Sequence, residues 1–322
     1  MMVDLNSAVA LLKSGNVVAI PTETVYGLAA DAFQMQAVKK TFQMKGRPAD
    51  NPLIVHISNT SQLPQVSQLN EEEQKRVELL ASEFWPGPLT LVMPRSPHLP
   101  DMVTGGLSTV AVRMPDHEIA LQLIEKTGPL TAPSANRSGG PSPTRAIHIL
   151  QDFGDRLAVL DGGYCKVGLE STVLDITETP FVILRKGVVG AEEIERATGI
   201  ETLFRTDGDL RRSPGTRYTH YKPEAEVRWL QPDEEIPEEA TLVLHTSSQV
   251  EDRDDILSYD GDFDTLARDL YDIFRTADYQ KKKYILIEDL PENSGNPVIQ
   301  ALRDRIDRAA GSDEGNVPAD QE

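Results

Sequence analysis

Three observations predict an α/β fold in two unequal parts. Short apolar runs alternate with helical patterns up to residue 205, a smaller alternation begins near residue 240, and the stretch between them is polar, proline-bounded and unusually aromatic. On these boundaries residues 1–205 form the main domain, 206–239 a linker and 240–311 a second domain. The acidic residues 312–322 read as a disordered tail.

Each element has a local cause. Asp4 or Asn6 can cap a helix through Lys13, which Gly15 ends, and Val17 to Ile20 is a buried strand running into Pro21-Thr22-Glu23-Thr24. A Gly turn follows at Val25 to Asp31, then a helix from Ala37 to Met44 and a strand from Leu53 to Ile57. Glu71 to Phe84 is a helix with acids at its start, stopped by Trp85-Pro86-Gly87-Pro88 before the strand Leu89 to Met93. Gly105 to Ser108 turns into the strand Thr109 to Met114, and alternation puts Thr109, Ala111 and Arg113 on one face. A helix from Glu118 to Thr127 and a short strand Leu130 to Ala132 lead into a loop, Pro133 to Thr144, before a helix starting near Arg145. Hydroxyls and backbone N–H groups aimed at a helix start can cradle phosphate. Ala158 to Asp161, Gly168 to Asp175 and Phe181 to Arg185 supply further strands. The second domain reads as strand Thr241 to His245, helix Asp264 to Thr276, strand Tyr284 to Glu288 and helix Val298 to Ala310.

Composition narrows the function classes. Apolar content of 39% and charged content of 26% suit a soluble globular protein. No run approaches a membrane span, and the N-terminus lacks the basic start and apolar core of a signal peptide, so a cytoplasmic location is expected. Cys165 is the single cysteine, which excludes an internal disulfide or thiolate cluster and reads as a small buried side chain. The net charge is −19, and residues 1–205 carry 18 basic against 23 acidic side chains while residues 206–322 carry 14 against 28. So acidic a chain is a poor tracker of phosphate backbones, and little direct nucleic-acid binding is expected. The acid excess also fits a surface adapted to a saline cytoplasm.

The stretch from Lys45 to His56 gathers two cations, an amide and an imidazole around one turn and one strand. An Arg fork and a Lys point charge two residues apart can address different oxygens of one polyphosphate. Signatures of P-loop, dinucleotide-binding, zincin and nucleophile-elbow enzymes are missing. What remains is cations (Lys45, Arg47, Arg113, Arg185), hydroxyls (Thr24, Thr131, Ser134, Ser142, Ser171), His56 and Asn136, mostly at strand ends. That set binds and positions; it offers no protein nucleophile. Each residue also has a structural reading: Lys45 and Arg47 as cations at a helix end, His56 as a core histidine, Glu23 as a hydrogen-bonder, Trp85 as core, and Asp161 and Glu170 as pins of Gly turns.

Taken together, Pro21-Thr-Glu-Thr-Val-Tyr-Gly-Leu28, Lys45-Gly-Arg-Pro48, Asn51-Pro-Leu53, Trp85-Pro-Gly-Pro-Leu-Thr90, Ala132-Pro-Ser-Ala-Asn136 and Gly168-Leu-Glu-Ser-Thr-Val173 resemble the YrdC-like family in its two-domain, threonylcarbamoyladenylate-forming branch. The likeness is strong over residues 6–200, includes the linker Ser213 to Pro223, and extends to the ending Ala301 to Ala310. It implies a twisted mixed sheet with helices around a concave cavity, plus a smaller Rossmann-like domain. It also implies that L-threonine, bicarbonate and ATP yield threonylcarbamoyl-AMP and pyrophosphate for the t6A modification at position 37 of ANN-reading tRNAs. By motif, Thr24, His56, Arg113, Thr131 and Ser171 would hold threonine or its carbamate. Lys45 and Arg47 would supply catalytic charge, and Arg47, Asn51, Thr109, Pro133, Ser134, Asn136, Ser142 and Arg185 would line the nucleotide side. Tyr218, His220 or Tyr221 of the linker would close over ATP, whose triphosphate would carry Mg²⁺. The product would pass to a transferase that binds the tRNA. Two alternatives stay open: an RNA-binding module without nucleotide turnover, and a carbamoyl-handling enzyme with another amine acceptor.

Overall fold

The computed structural model describes residues 1–205, 221–246, 255–292 and 294–311. The main sheet is built from β1 (Met2–Val3), β2 (Val18–Ile20), β3 (Gly27–Asp31), β4 (Ile54–His56), β5 (Leu89–Pro94), β6 (Thr109–Arg113), β7 (Leu130–Thr131), β8 (Ala158–Leu160), β9 (Thr172–Asp175), β10 (Phe181–Arg185) and β11 (Thr202–Phe204). Their order is β1-β8-β2-β3-β7-β4-β6-β5-β9-β10-β11, and parallel and antiparallel pairs are mixed. The mixed sheet is the one implied by the resemblance.

One face of the central strands is packed dry. Val55, Leu89, Leu91, Val110, Val112 and Leu174 point into the largest core, against the helices Met35–Lys45, Glu71–Phe84 and Ala191–Thr198. The helix Glu71–Phe84 begins with a capping box: Asn70 accepts from the Glu73 amide, and the Glu73 carboxylate accepts from the Asn70 amide. The opposite face holds only a small apolar cluster, Ile54, Val92, Ala111 and Val173, and leaves room for a cavity.

The second domain is a parallel sheet of β12 (Glu226–Trp229), β15 (Tyr284–Ile287), β13 (Ala240–Leu244) and β14 (Ile256–Ser258). β12 lies inside the segment expected to be linker. Its alternating Val227 fills the second core while Glu226 and Arg228 stay wet, a pattern too short to stand out in the sequence. The helix Phe263–Tyr279 docks this domain onto the first: Arg275 pairs with Asp152 at 2.9 Å, His148 Nε2 donates to Asp272 at 2.9 Å, and Tyr164 donates to Asp269 at 2.7 Å. The amide of Thr144 donates to His148 Nδ1, which fixes that tautomer. Val25 and Leu169 of the first domain complete the second domain's core.

Several elements were not foreseen. Gly27–Asp31 is a strand rather than a turn, and Ala191–Thr198, Thr202–Phe204 and Ile256–Ser258 carry regular structure that short mixed-polarity runs did not announce. A Cβ on Gly27 would sit 2.9 Å from Ala132 Cβ, so this glycine serves close strand approach.

Candidate functional site

Register explains how the site is assembled. Ile54 and His56 of β4 stand beside Ala111 and Arg113 of β6, pair for pair, on the face turned away from the large core. His56, Arg113, Thr22, Thr24, Arg47, Pro133, Ser134, Glu170, Ser171, Arg185 and Tyr221 line a single cavity. Three arginines against one carboxylate make its lining positive within an acidic molecule.

Arg113 is held at every nitrogen. Nε donates to the Gly87 carbonyl at 3.1 Å, Nη1 to Thr24 Oγ1 at 2.8 Å, and Nη2 lies 2.5 Å from Glu23 Oε1. Both ends of the ion pair are buried, so the guanidinium cannot swing into solvent. Thr22 donates to the Val25 carbonyl at 2.7 Å, which leaves Thr24 to donate to Thr22 across 2.9 Å. Burial, reinforced by Arg113, pushes the His56 imidazole down to about 3, so the ring is neutral at ordinary pH. Its Nδ1 finds no hydrogen-bond partner among the described residues.

On the far wall Arg185 donates from Nε to the Ser171 carbonyl at 3.0 Å and from Nη2 to Ser171 Oγ at 3.1 Å. Thr90 Oγ1 lies 2.7 Å from the same hydroxyl. Arg47, half-buried at the mouth, donates from Nη2 to Asn51 Oδ1 at 2.6 Å and to the Pro52 carbonyl at 2.9 Å. Asn51 thus orients Arg47.

Lys45 stands elsewhere. Its ammonium donates to the carbonyls of Ser134 at 2.5 Å and Asn136 at 2.7 Å, and it is absent from the cavity lining. Burial, with Arg47 nearby, pulls its pKa well below the ordinary lysine value. It ties the loop Pro133 to Thr144 to the end of the helix Met35–Lys45. Asn136 is spent on the same loop, donating to the carbonyls of Arg137 and Gly140. Ser142 donates to Glu170 Oε1 at 2.6 Å, and Thr131 to the Ala30 carbonyl at 3.3 Å. Thr109 sits at the outer end of β6 and does not reach the cavity either. Of the residues expected to face the ligand, Lys45, Asn51, Thr131, Asn136 and Ser142 each hydrogen-bond a neighbouring protein group, and none of these five nor Thr109 is among the residues lining this cavity. Tyr218 and His220 lie outside the described residues.

Sequence reasoning missed other contributors. Thr22 was readable only as part of its motif. Glu170 pins no Gly turn: besides Ser142 it accepts from Tyr271 and from Arg305 Nε, both at 2.9 Å, and both belong to the second domain. Burial alone would raise Glu170, but Arg305, Arg185 and Ser142 hold it below the ordinary carboxylate value. Trp85 is core, its indole donating to the Leu89 carbonyl at 2.7 Å, and Asp161 does accept from the Gly163 amide.

A cation-lined cavity on the polar face of a mixed sheet, roofed by a second α/β domain, defines an enzyme class that holds anionic substrates by charge and contributes no nucleophile of its own. Comparison with known proteins narrows it further. A family described as "Telomere recombination", comprising the Sua5, YciO and YrdC proteins, matches residues 10–187, and "Threonylcarbamoyl-AMP synthase, C-terminal domain" matches residues 189–311. The threonylcarbamoyl-AMP synthase of Pyrococcus abyssi is 43% identical over 92% of both chains, and that of Bacillus subtilis 41% identical over 94% of this chain and 92% of its own. The crystal structure of P. abyssi Sua5 complexed with L-threonine superposes with a TM-score of 0.83 at 38% identity, covering 97% of this chain and 98% of that one. The chain belongs to the Sua5/YrdC family, in its two-domain threonylcarbamoyl-AMP synthase form.

Proposed function

We propose that the chain makes threonylcarbamoyl-AMP and pyrophosphate from L-threonine, bicarbonate and ATP, supplying the activated group for t6A modification of tRNA. The observation that carries this reading is the convergence of Arg47, Arg113 and Arg185 with Thr24 and Ser171 on one cavity. The threonine amine condenses with bicarbonate, losing water, to give a carbamate. A carbamate oxygen then attacks the α-phosphorus and pyrophosphate leaves. Two anions must meet, so catalysis consists largely of holding them in line against repulsion and stabilising charge on the phosphoryl oxygens.

Roles follow from position. Arg113, Thr24, His56 and Ser171 take the threonine or its carbamate; that the P. abyssi relative was solved in complex with L-threonine supports threonine as the ligand. Arg47, Pro133, Ser134, Arg185 and Tyr221 take the nucleotide. Neutral His56 presents a ring nitrogen without adding positive charge beside Arg113. Lys45, Asn51, Asn136 and Ser142 fix the walls, and Thr109 and Thr131 stiffen the strands beneath. Mg²⁺ enters on the ATP: Glu170 is the cavity carboxylate, and its oxygens are already occupied by Ser142, Tyr271 and Arg305. No described helix is long and apolar enough to cross a membrane, and the reading places the enzyme in the cytoplasm, passing product to a tRNA-binding transferase.

A pyrophosphate-release assay with threonine, bicarbonate or ATP omitted in turn tests the reading. Release that needs all three supports it. Salt-sensitive tRNA binding without release would favour an RNA-binding role, and release with a different amine would redirect the substrate.

A further inference from the structure

The second domain reaches the cavity's carboxylate, Glu170, through two side chains, Arg305 and Tyr271. Arg305, on the helix Pro297–Ala310, is fully buried and the largest such side chain described. Its Nε donates to Glu170 Oε2 at 2.9 Å, its Nη2 donates to the Lys186 carbonyl at 2.9 Å, and its guanidinium lies 5.2 Å from the centroid of the Tyr221 ring. Tyr271, from the neighbouring helix, donates to the same carboxylate oxygen at 2.9 Å and packs its ring 5.4 Å from that of Tyr221. Tyr221 itself holds a left-handed backbone, φ 70°, and lines the cavity.

A carboxylate on the wall of a cavity meant for two anions repels them unless a cation offsets it. Arg185 contributes from the first domain, but the cation bonded directly to Glu170 comes from the other domain, 135 residues along the chain, where it is also paired with Asp304. We propose that Arg305 is a positioning residue for the synthase reaction: it neutralises Glu170 and seats Tyr221 at the cavity wall, so that the second domain completes the substrate site. This rests on the synthase reading above.

The test is steady-state kinetics on full-length variants, with unfolding midpoints measured alongside. Arg305→Met leaves Glu170 charged and is expected to raise KM for ATP about tenfold or more while changing kcat less. Adding Glu170→Gln removes the orphaned charge and is expected to recover most of that loss, because two neutral partners replace a broken ion pair. Arg303→Met, which changes an arginine bonded to Asp289 on the same helix, is the control and is expected to leave KM unchanged. Failure of Glu170→Gln to recover the Arg305→Met loss, or an equal loss from Arg303→Met, would overturn the proposal. Should Arg305→Met fail to fold, Tyr271→Phe removes one donor from the same carboxylate and keeps the ring packing; an unchanged KM there would also overturn it. A wild-type protein that releases no pyrophosphate would instead sink the synthase reading.

Discussion

Arg113 and Glu23 form an ion pair of 2.5 Å in which both side chains are almost wholly buried, and Thr24, next to Glu23 in the chain, accepts from the other terminal nitrogen of the same guanidinium at 2.8 Å. The pair gives the cation a fixed direction before any substrate arrives. Arg113→Lys keeps the charge but not the fork, and is expected to lower kcat/KM for threonine by about two to three orders of magnitude, as removal of an oriented donor does. Initial rates of pyrophosphate release against threonine concentration check it.

Lys45 and Arg47, two residues apart, are expected to fail differently. Lys45→Met strips the donor from the Ser134 and Asn136 carbonyls and should cost about 2 to 4 kcal/mol of folding stability. Arg47→Ala, at the half-buried mouth, should cost less stability and more activity. Denaturant unfolding beside kcat/KM for ATP separates the two.

His56 makes stability depend on pH in a defined window. Its imidazole is pushed down to about 3 in the folded chain, against an ordinary value of 6.5. The unfolded state therefore binds the proton first, so the stability is fully present above the ordinary value and is lost as pH falls toward the folded one. Between pH 7 and pH 5 the loss from this group is about 2 kcal/mol. A His56→Gln variant should lose correspondingly less over that range in denaturant titrations; equal slopes would contradict the assignment.

Gly168 lies against the docking helix Phe263–Tyr279 of the second domain. It has φ +79°, and a Cβ there would lie 2.3 Å from Arg268 Cα, in the backbone of the docking helix. Gly168→Ala is expected to cost on the order of 1 to 3 kcal/mol or more and to loosen the second domain. A lowered unfolding midpoint with a raised KM for ATP is the expected result.

How much of this the sequence disclosed depends on the range of each interaction. Alternation along Thr109 to Arg113 told which face Arg113 takes, because a strand's period of two is local. Leu53 to Ile57 is apolar on both sides of His56, so its pattern read as a core histidine and only the family motif pointed to the site. The loop Pro133 to Thr144 announced donors and acceptors but not their partners. Lys45 therefore read as a ligand-facing cation, whereas its helix end points it at carbonyls 89 and 91 residues away. Glu170 read as a turn residue because its two second-domain partners are invisible to local pattern. The linker was expected too long because β12 is four residues of mixed polarity.

Mass analysis of the adenylylated product made from carbon-labelled bicarbonate tests most directly whether this cavity joins a carbamate to the α-phosphorus of ATP. The expected species is AMP linked to threonine through the labelled carbon, formed with one pyrophosphate per turnover and lost in Arg113→Lys. Threonyl-AMP lacking that carbon, or ADP and phosphate in place of AMP and pyrophosphate, would contradict it.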